Sequence, residues 1–167
     1  LSELTINVSS ELIQAVVNQR SFKSPEEIKE IEWALENVTA PMHLVAMKMA
    51  LPGVHESHIV AEMSGIVQRH NVSMAYTPIC SVHGEILHNE EYVTTLQEGG
   101  LLLVDAGAES QKHYASDITR TTPVGGKFNS LQRDLYELVL TAQEAAISSI
   151  QPGVYFKDIH MNTVKLI

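Results

Sequence analysis

Apolar residues recur three and four positions apart in the first third of the chain: Ile28, Ile31, Leu35, Val38, Met42, Val45 and Met49. This spacing predicts one helix with a single buried face. Ser24, Pro25 and Glu27 form a helix start with a capping box and a proline in the first turn. Pro41 removes a hydrogen bond from the helix interior, so we expect a kink near Asn37. The pattern favours a helix that packs on a sheet, although it also resembles a coiled-coil seam.

Further helices are predicted on both sides of this one. Residues 9–17 could form a short helix, and 20–24 read as a connector. After Pro52 and Gly53, a second helix is expected over about 55–70, with one apolar side formed by Ile59, Val60, Met63 and Val67. A long helix is expected from Asn129 to about Ile150, and a last one begins near Lys157.

Residues 73–124 have strand character instead. Ser73–Ser81, Leu101–Ala106 and Tyr114–Val124 are rich in β-branched and aromatic residues. Glycine pairs at 99–100 and 125–126 mark turns. The order of elements predicts an α+β fold, with helices on one face of a mainly antiparallel sheet.

A short sequence pattern occurs twice. Pro52-Gly53-Val54 and Pro152-Gly153-Val154 each follow a long helix and precede another, at an offset of 100 residues (152 minus 52). The match is short, but it suggests an internal duplication whose second copy begins near the end of this sequence.

Composition narrows the class of protein. The 167 residues are 44% apolar and carry a net charge of −9, which makes nucleic acid an unfavourable partner. The single cysteine, Cys80, fits a reducing cytoplasm and is interpreted as a buried strand residue. No apolar run reaches the roughly 18 residues that span a membrane, and no signal peptide is visible at the start. We therefore expect a cytoplasmic protein without a membrane partner.

Two carboxylates are the strongest candidates for chemistry. Asp105 ends the apolar run 101–104, and Asp117 follows within reach if residues 101–110 and 113–122 form a hairpin. A buried carboxylate requires compensation, which a divalent cation or an arginine supplies. Spacing alone leaves open an Asp105–Arg120 ion pair or turn-capping carboxylates.

The eight histidines differ in their surroundings. Six are interpreted as surface or polar filler residues on helices or turns: His43, His55, His58, His70, His113 and His160. His83 and His88 flank a loop that leads toward the Asp105 strand, where a histidine can bind metal, transfer protons or contact substrate. A structural role for these two stays equally open.

Several segments together resemble the aminopeptidase P and prolidase family of Xaa-Pro peptidases. They are Asp105–Glu109, Ser116–Thr121, Pro123–Phe128, Ile86–Asn89, Arg20–Glu27 and Gln132–Tyr136. The resemblance covers about residues 10–160 and is closest to the bacterial aminopeptidase P-like branch. It implies a partial pita-bread (creatinase/aminopeptidase) fold with a curved, mainly antiparallel sheet.

The resemblance also implies a metal site. Asp105 matches the first aspartate ligand and Asp117 the second, which bridges two divalent ions, most often manganese, with cobalt or zinc as alternatives. His88 matches the histidine that contacts the substrate and stabilises the tetrahedral intermediate. One further histidine and two glutamates are expected from the second half of the fold. With two of five ligands, this chain alone is expected to bind metal weakly or not at all and to be inactive.

The resemblance places residues 1–23 as a lead-in from an N-terminal domain and 24–167 as the first half of the catalytic domain plus the start of the second. The expected substrates are peptides with proline at the second position, and an uncovered sheet edge favours a homodimer. A non-catalytic pita-bread binding module is the alternative. A dimerisation segment built on the helix 28–49 is a third, weaker interpretation.

Overall fold

The computed structural model describes residues 8–167 of the chain. These residues contain six α-helices and five short β-strands. The helices are α1 Ser10–Ser21, α2 Pro25–Ala34, α3 Ala40–Met49, α4 Glu56–Arg69, α5 Ser130–Ser149 and α6 Phe156–Val164. The strands are β1 Ser73–Met74, β2 Ile79–Ser81, β3 Leu101–Ala106, β4 Ala108–Glu109 and β5 Ile118–Pro123. The predicted helices and strands are therefore present, with shifted ends.

The main sheet has the order β2-β3-β5 and is antiparallel throughout. Leu101 lies opposite Pro123 and Ala106 opposite Ile118, which confirms the predicted hairpin. Along β3 the buried residues are Leu102, Val104 and Ala106. Since side chains alternate between the faces of a strand, Asp105 projects from the opposite face.

The helices α3 and α4 cover the buried face of this sheet. Their contribution to the core is Met42, Ala46, Ile59, Met63, Ile66 and Val67, which pack with Cys80, Leu102 and Val104 from the strands. The helices thus lie on one face of the main sheet and leave the Asp105 face outside this core. This is the α+β arrangement predicted from the sequence.

The kink expected near Asn37 takes the form of a π-helical turn, Leu35–Thr39, between α2 and α3. Pro41 has no amide hydrogen to donate to the carbonyl of Asn37, and the backbone widens ahead of it. The capping box at Ser24 is also present, with Ser24 Oγ accepting from the amide of Glu27.

The buried face of this helical segment matches the prediction in part. Val38 and Met42 are fully buried, and Val45 and Met49 pack partly buried against the core, but Ile28 is 44% exposed. The fully buried apolar positions follow one another at intervals of four residues: Ala34, Val38, Met42 and Ala46. In an α-helix such positions drift by about 40° per step, because each residue turns about 100°. The π-helical turn offsets part of that drift, which an assumption of regular α-helix could not include.

The predicted strand 73–81 is interrupted. The backbone bends at Ala75 and Tyr76, and the amide of Ala75 donates to the carbonyl of Gly107 at 3.0 Å. Consequently β1 pairs with β4, whereas β2 pairs with β3. The bend places Tyr76 between the two short strands. Local β-propensity extends through this bend and gives no sign of the change of partner.

Two other predicted boundaries were wrong. The first helix continues to Ser21, into the first two residues of the expected connector 20–24. The strand expected from Tyr114 begins only at Ile118, because residues 110–114 form a turn in which the amide of Ser110 donates to the carbonyl of Tyr114 at 2.8 Å. Residues 1–7 of the expected lead-in lie outside the described residues.

The two Pro-Gly-Val segments have the same local structure. Val54 N donates to Leu51 O at 3.2 Å, and Val154 N donates to Gln151 O at 3.1 Å. Gly53 and Gly153 both have positive φ, 86° and 88°, which glycine adopts without strain. A helix follows each turn. The two segments therefore share a turn, whereas the internal repeat itself stays a prediction.

The helices α1, α5 and α6 contribute little to the core. Ala142 is the one buried residue of α5, and α1 and α6 have none in the part of the chain that the structure describes. Leu131, Val139 and Ile147 of α5 are each more than half exposed. Across residues 8–167, no helix combines the length and apolar character that a membrane span requires.

Candidate metal centre

Asp105 and Asp117 lie on the same face of the β3–β5 hairpin. Asp105 pairs directly with Thr119, and directly paired residues project from the same face. Asp117 precedes Thr119 by two residues, so extended backbone returns its side chain to that face. Asp105 is partly buried and Asp117 is exposed. The strand register therefore brings together the two carboxylates that the sequence singled out.

Tyr76 joins the two carboxylates. Its hydroxyl lies 2.6 Å from Asp105 Oδ1 and 2.6 Å from Asp117 Oδ1. The hydroxyl of a tyrosine carries one hydrogen, so it can donate to the two carboxylate oxygens only by sharing that hydrogen between them. Burial raises the pKa of Tyr76, and the hydrogen bonds to both aspartates raise it further. Tyr76 therefore remains a protonated donor near neutral pH.

The Asp105–Arg120 ion pair, left open by the sequence, is wrong. Arg120 lies opposite Val104, on the other face of the hairpin from Asp105. Its guanidinium donates to the carbonyl of Thr119 at 2.8 Å. Residues an odd number of positions apart on a strand project from opposite faces, so Arg120 also lies on the face opposite to Asp117.

The donor set fits a hard divalent cation but does not complete a site for one. Two carboxylates with one shared hydrogen keep a net negative charge and free oxygen lone pairs, the ligands that manganese and magnesium prefer. Within residues 8–167, no cluster of three or more His, Cys, Asp or Glu side chains is arranged to hold a metal ion. Asp105 and Asp117 are therefore suitable ligands that need further ones.

Buried hydroxyl groups fix the backbone between the two aspartates. Thr39 Oγ1 and Ser116 Oγ are 2.7 Å apart, and both residues are buried. The amide of Ala108 donates to Thr39 Oγ1 at 2.9 Å, and Ser116 Oγ donates to the carbonyl of Ala108 at 3.0 Å. At Gly107 the backbone of Ser116 passes so close that no side chain fits.

His43 was predicted to be a surface or polar filler residue, and the structure contradicts a surface position. It is 5% exposed, with Nε2 located 3.3 Å from the carbonyl of Ala106 and Nδ1 without a hydrogen-bond partner among residues 8–167. Burial lowers the pKa of His43, so the imidazole is neutral at pH 7. The carbonyl that His43 contacts is 63 residues away along the chain, so local spacing gives no sign of it.

The loop 82–94, which carries His83 and His88, is held at both ends by one buried carboxylate. Glu56 is fully buried and accepts from the amide of Val82 and the amide of Thr94, each at 2.9 Å. His88 is exposed and has a positive φ of 55°. A contact of His88 with the aspartate pair stays a prediction.

The other histidines considered and Cys80 have structural roles or exposed positions. His83 Nδ1 lies 2.9 Å from Glu85 within the same exposed loop. His55 caps α4 by accepting from the amide of Ser57, and His160 is exposed on α6. Cys80 is buried as predicted, and burial, with the charge of Glu56, raises the pKa of its thiol to about 12. Cys80 is therefore not a nucleophile near neutral pH.

Sequence reasoning missed Tyr76, Glu56 and Thr39. Each acts on residues far along the chain: Tyr76 on residues 29 and 41 positions away, Glu56 on residues 26 and 38 away, and Thr39 on residues 69 and 77 away. The spacing of neighbouring residues cannot indicate partners at such distances. The motifs that resemble the peptidase family also do not contain these three residues.

Comparisons with known proteins identify the family of the chain. A profile of metallopeptidase family M24 matches residues 34–167. The Xaa-Pro aminopeptidase of Escherichia coli is 38% identical over 154 residues, which cover 90% of this chain and 34% of that protein. The structure of Pseudomonas aeruginosa aminopeptidase PepP has a TM-score of 0.85 and 39% identity, covering 89% of this chain and 34% of that one.

A zinc-substituted E. coli aminopeptidase P in complex with product is similar as well, with a TM-score of 0.83 and 38% identity. It covers 89% of this chain and 34% of that one. The chain thus spans between about a third and two fifths of the length of two curated relatives that it matches, the Xaa-Pro aminopeptidases of E. coli and Haemophilus influenzae. These matches confirm the resemblance seen in the sequence and the pita-bread fold that it implied: the chain belongs to metallopeptidase family M24.

Proposed function

We propose that this chain supplies the first half of the catalytic domain of a metal-dependent Xaa-Pro aminopeptidase. The observation that carries the proposal is the pair Asp105 and Asp117, brought to one face and joined through the hydroxyl of Tyr76. The names of the relatives support the choice of reaction, which is hydrolysis of the bond between an N-terminal residue and proline. The substrates are then peptides with proline at the second position.

Asp105 and Asp117 would hold two divalent ions, with manganese proposed first and cobalt or zinc as alternatives. Bound cations would lower the pKa of a water molecule and stabilise the oxyanion that forms on the peptide carbonyl. Carboxylates suit this role, because they offset the positive charge while leaving the cations accessible. One histidine and two glutamates from outside this chain would complete the set of five ligands.

Tyr76 and His88 have separate proposed roles. Tyr76 orients the two carboxylates through its hydrogen bonds, as outer partners of metal ligands commonly do. His88 would contact the substrate and donate a hydrogen bond to the developing oxyanion. Its loop is fixed at both ends by Glu56, which limits the positions that His88 can reach.

The second candidate function is a non-catalytic binding module for peptides or proteins. The observation against it is that the two aspartates and the loop histidine are all retained on a scaffold that orients the aspartates. A binding module has no chemical need for two carboxylates that share one hydrogen, since their mutual repulsion costs stability. We therefore favour the enzyme.

The proposal extends to the organisation of the whole protein. Residues 1–23 would lead in from an N-terminal domain, and α1 contributes no buried residue to the core, as such a segment would. Residues 24–167 would be the first half of the catalytic domain and the start of the second. A cytoplasmic location and a homodimer complete the proposal.

A chimera tests the proposed activity. The matching segment of the E. coli Xaa-Pro aminopeptidase is replaced by this chain, and hydrolysis of a peptide with proline at the second position is measured. We expect manganese-dependent hydrolysis. Asp117→Asn should lower kcat/KM by at least about 10³-fold, and His88→Ala should lower kcat by about 10²-fold through the lost oxyanion contact.

Asp134→Asn is the matched control, because Asp134 is exposed on α5. It removes the same charge and should leave hydrolysis within about two-fold of the unsubstituted chimera. Equal activity of the Asp117→Asn and Asp134→Asn chimeras would contradict the metal-ligand role. A folded chimera that binds the peptide but does not hydrolyse it would support the binding module instead.

A further inference from the structure

We propose that Thr39 is a positioning residue for Asp117, acting through a closed ring of hydrogen bonds with Ser116 and Ala108. The inference rests on the proposed function, since it assigns Asp117 to a metal site. It adds a residue from a distant helix to that site. Thr39 touches neither aspartate and acts only through the backbone that carries Asp117.

The π-helical turn directs the Thr39 side chain toward Ser116 and Ala108. The amide of Ala40 donates to the carbonyl of Leu35, five residues back, instead of four. The extra residue in the turn rotates the helix that follows relative to the one before it, and both Val38 and Thr39 become buried. A hydroxyl in the core requires hydrogen-bond partners, and the β3–β5 connection provides them.

The three groups form a ring in which every hydrogen has an acceptor, and the amide of Ala108 has a second, longer contact with Ser116 Oγ at 3.4 Å. The amide of Ala108 donates to Thr39 Oγ1 at 2.9 Å. The Thr39 hydroxyl can then donate to Ser116 Oγ at 2.7 Å, and Ser116 Oγ donates to the carbonyl of Ala108 at 3.0 Å. The amide of Ser116 also donates to that carbonyl at 3.0 Å. Each buried polar atom of the ring is satisfied, which makes the arrangement rigid.

Ser116 directly precedes Asp117, so the ring sets where the Asp117 backbone begins. Asp105 needs no such help, because it lies inside β3 and is paired on both sides, with Ile79 and with Thr119. Asp117 lies just before β5 and is exposed, so fewer contacts hold it. Metal ligands must hold their positions within about 0.5 Å, and the ring supplies this constraint for the less supported ligand.

The experiment compares Mn²⁺ binding by the wild-type chain with that of three variants, using paramagnetic broadening of backbone amide NMR signals. Thr39→Val keeps the shape but removes the hydroxyl, and Thr39→Ser restores it. Thr141→Val is the matched control, because the Thr141 hydroxyl donates only to a carbonyl of its own exposed helix. Amide exchange of Ala108 is recorded on the same samples, at a temperature where all variants are folded.

In the wild type, we expect broadening centred on residues 105–107 and 117–119. Thr39→Val should raise the apparent dissociation constant for Mn²⁺ by about 5–10-fold and speed Ala108 exchange by about 10-fold, since one buried hydrogen bond is lost. Thr39→Ser should return both to within about two-fold of wild type, and Thr141→Val should leave both unchanged. A merely structural role would change folding stability without this change in Mn²⁺ affinity.

Unchanged Mn²⁺ affinity in a folded Thr39→Val variant would overturn the inference, while the wild-type broadening would still support the metal site. Wild-type broadening that is absent from residues 105–107 and 117–119 would instead contradict the proposed function. Ser116→Ala breaks the ring from its other side and should weaken Mn²⁺ binding similarly. Full affinity in that variant would also contradict the inference.

Discussion

Gly107→Ala should destabilise the chain by about 3–5 kcal/mol, at the upper end of the effects of single substitutions. A Cβ atom at Gly107 would lie 1.7 Å from the carbonyl oxygen of Ser116 and 2.7 Å from its carbonyl carbon. Both atoms belong to the backbone and cannot rotate away, so the connection between β3 and β5 must shift. Urea denaturation followed by circular dichroism measures the change in the free energy of unfolding.

Gly65→Ala is the matched control for this substitution. Gly65 lies inside α4, and its nearest contact for a new Cβ is the flexible end of Arg69 at 3.5 Å. Alanine is favoured over glycine in helices by up to about 1 kcal/mol, so this variant should be as stable as wild type or more so. A Gly107→Ala variant with wild-type stability would show that the backbones are not in close contact there.

Glu56→Ala should cost about 3–5 kcal/mol, because it removes the carboxylate that holds both ends of the loop 82–94. The amides of Val82 and Thr94 would lose their acceptor, and each unsatisfied amide costs about 1–3 kcal/mol. The Glu56 side chain is fully buried, so a cavity adds to the loss. The free energy of unfolding and the amide exchange rates of Val82 and Thr94 report the effect.

Two further variants test whether the lost hydrogen bonds cause the loss of stability in Glu56→Ala. Glu62→Ala removes an exposed carboxylate from the same helix and should change stability by less than about 0.5 kcal/mol. Glu56→Gln keeps one acceptor oxygen and should fall between the wild type and Glu56→Ala. Slow amide exchange at both Val82 and Thr94 in Glu56→Ala would contradict the assignment of Glu56 as their shared acceptor.

The sequence predicted the parts of the fold that depend on neighbouring residues. The apolar run ending at Asp105 gave β3 with correct ends, and Asn129 was correctly placed at the start of α5, where its side chain accepts from the amide of Gln132. Pro41 correctly indicated an interruption of the helix, although not its π-helical form. Each of these features follows from backbone hydrogen bonds within a few residues.

The features that were missed or misplaced depend on tertiary pairing. The strand expected over 73–81 divides because β1 and β2 pair with different strands, and only this division frees Tyr76 to reach the aspartates. His43 and Glu56 are buried polar residues whose partners lie far along the chain. A single sequence gives no measure of these distances, so the Asp105–Asp117 pair could be predicted as ligands without the groups that orient them.

The central claim is that Asp105 and Asp117 form part of a metal site that this chain does not complete. Calorimetric titration with Mn²⁺ of the wild-type chain and of Asp117→Asn tests it most directly. We predict weak binding, with a dissociation constant above about 100 µM, that is lost in Asp117→Asn, because two carboxylates leave most coordination positions to water. Tight stoichiometric binding by the wild-type chain, or equal binding by both proteins, would contradict the claim.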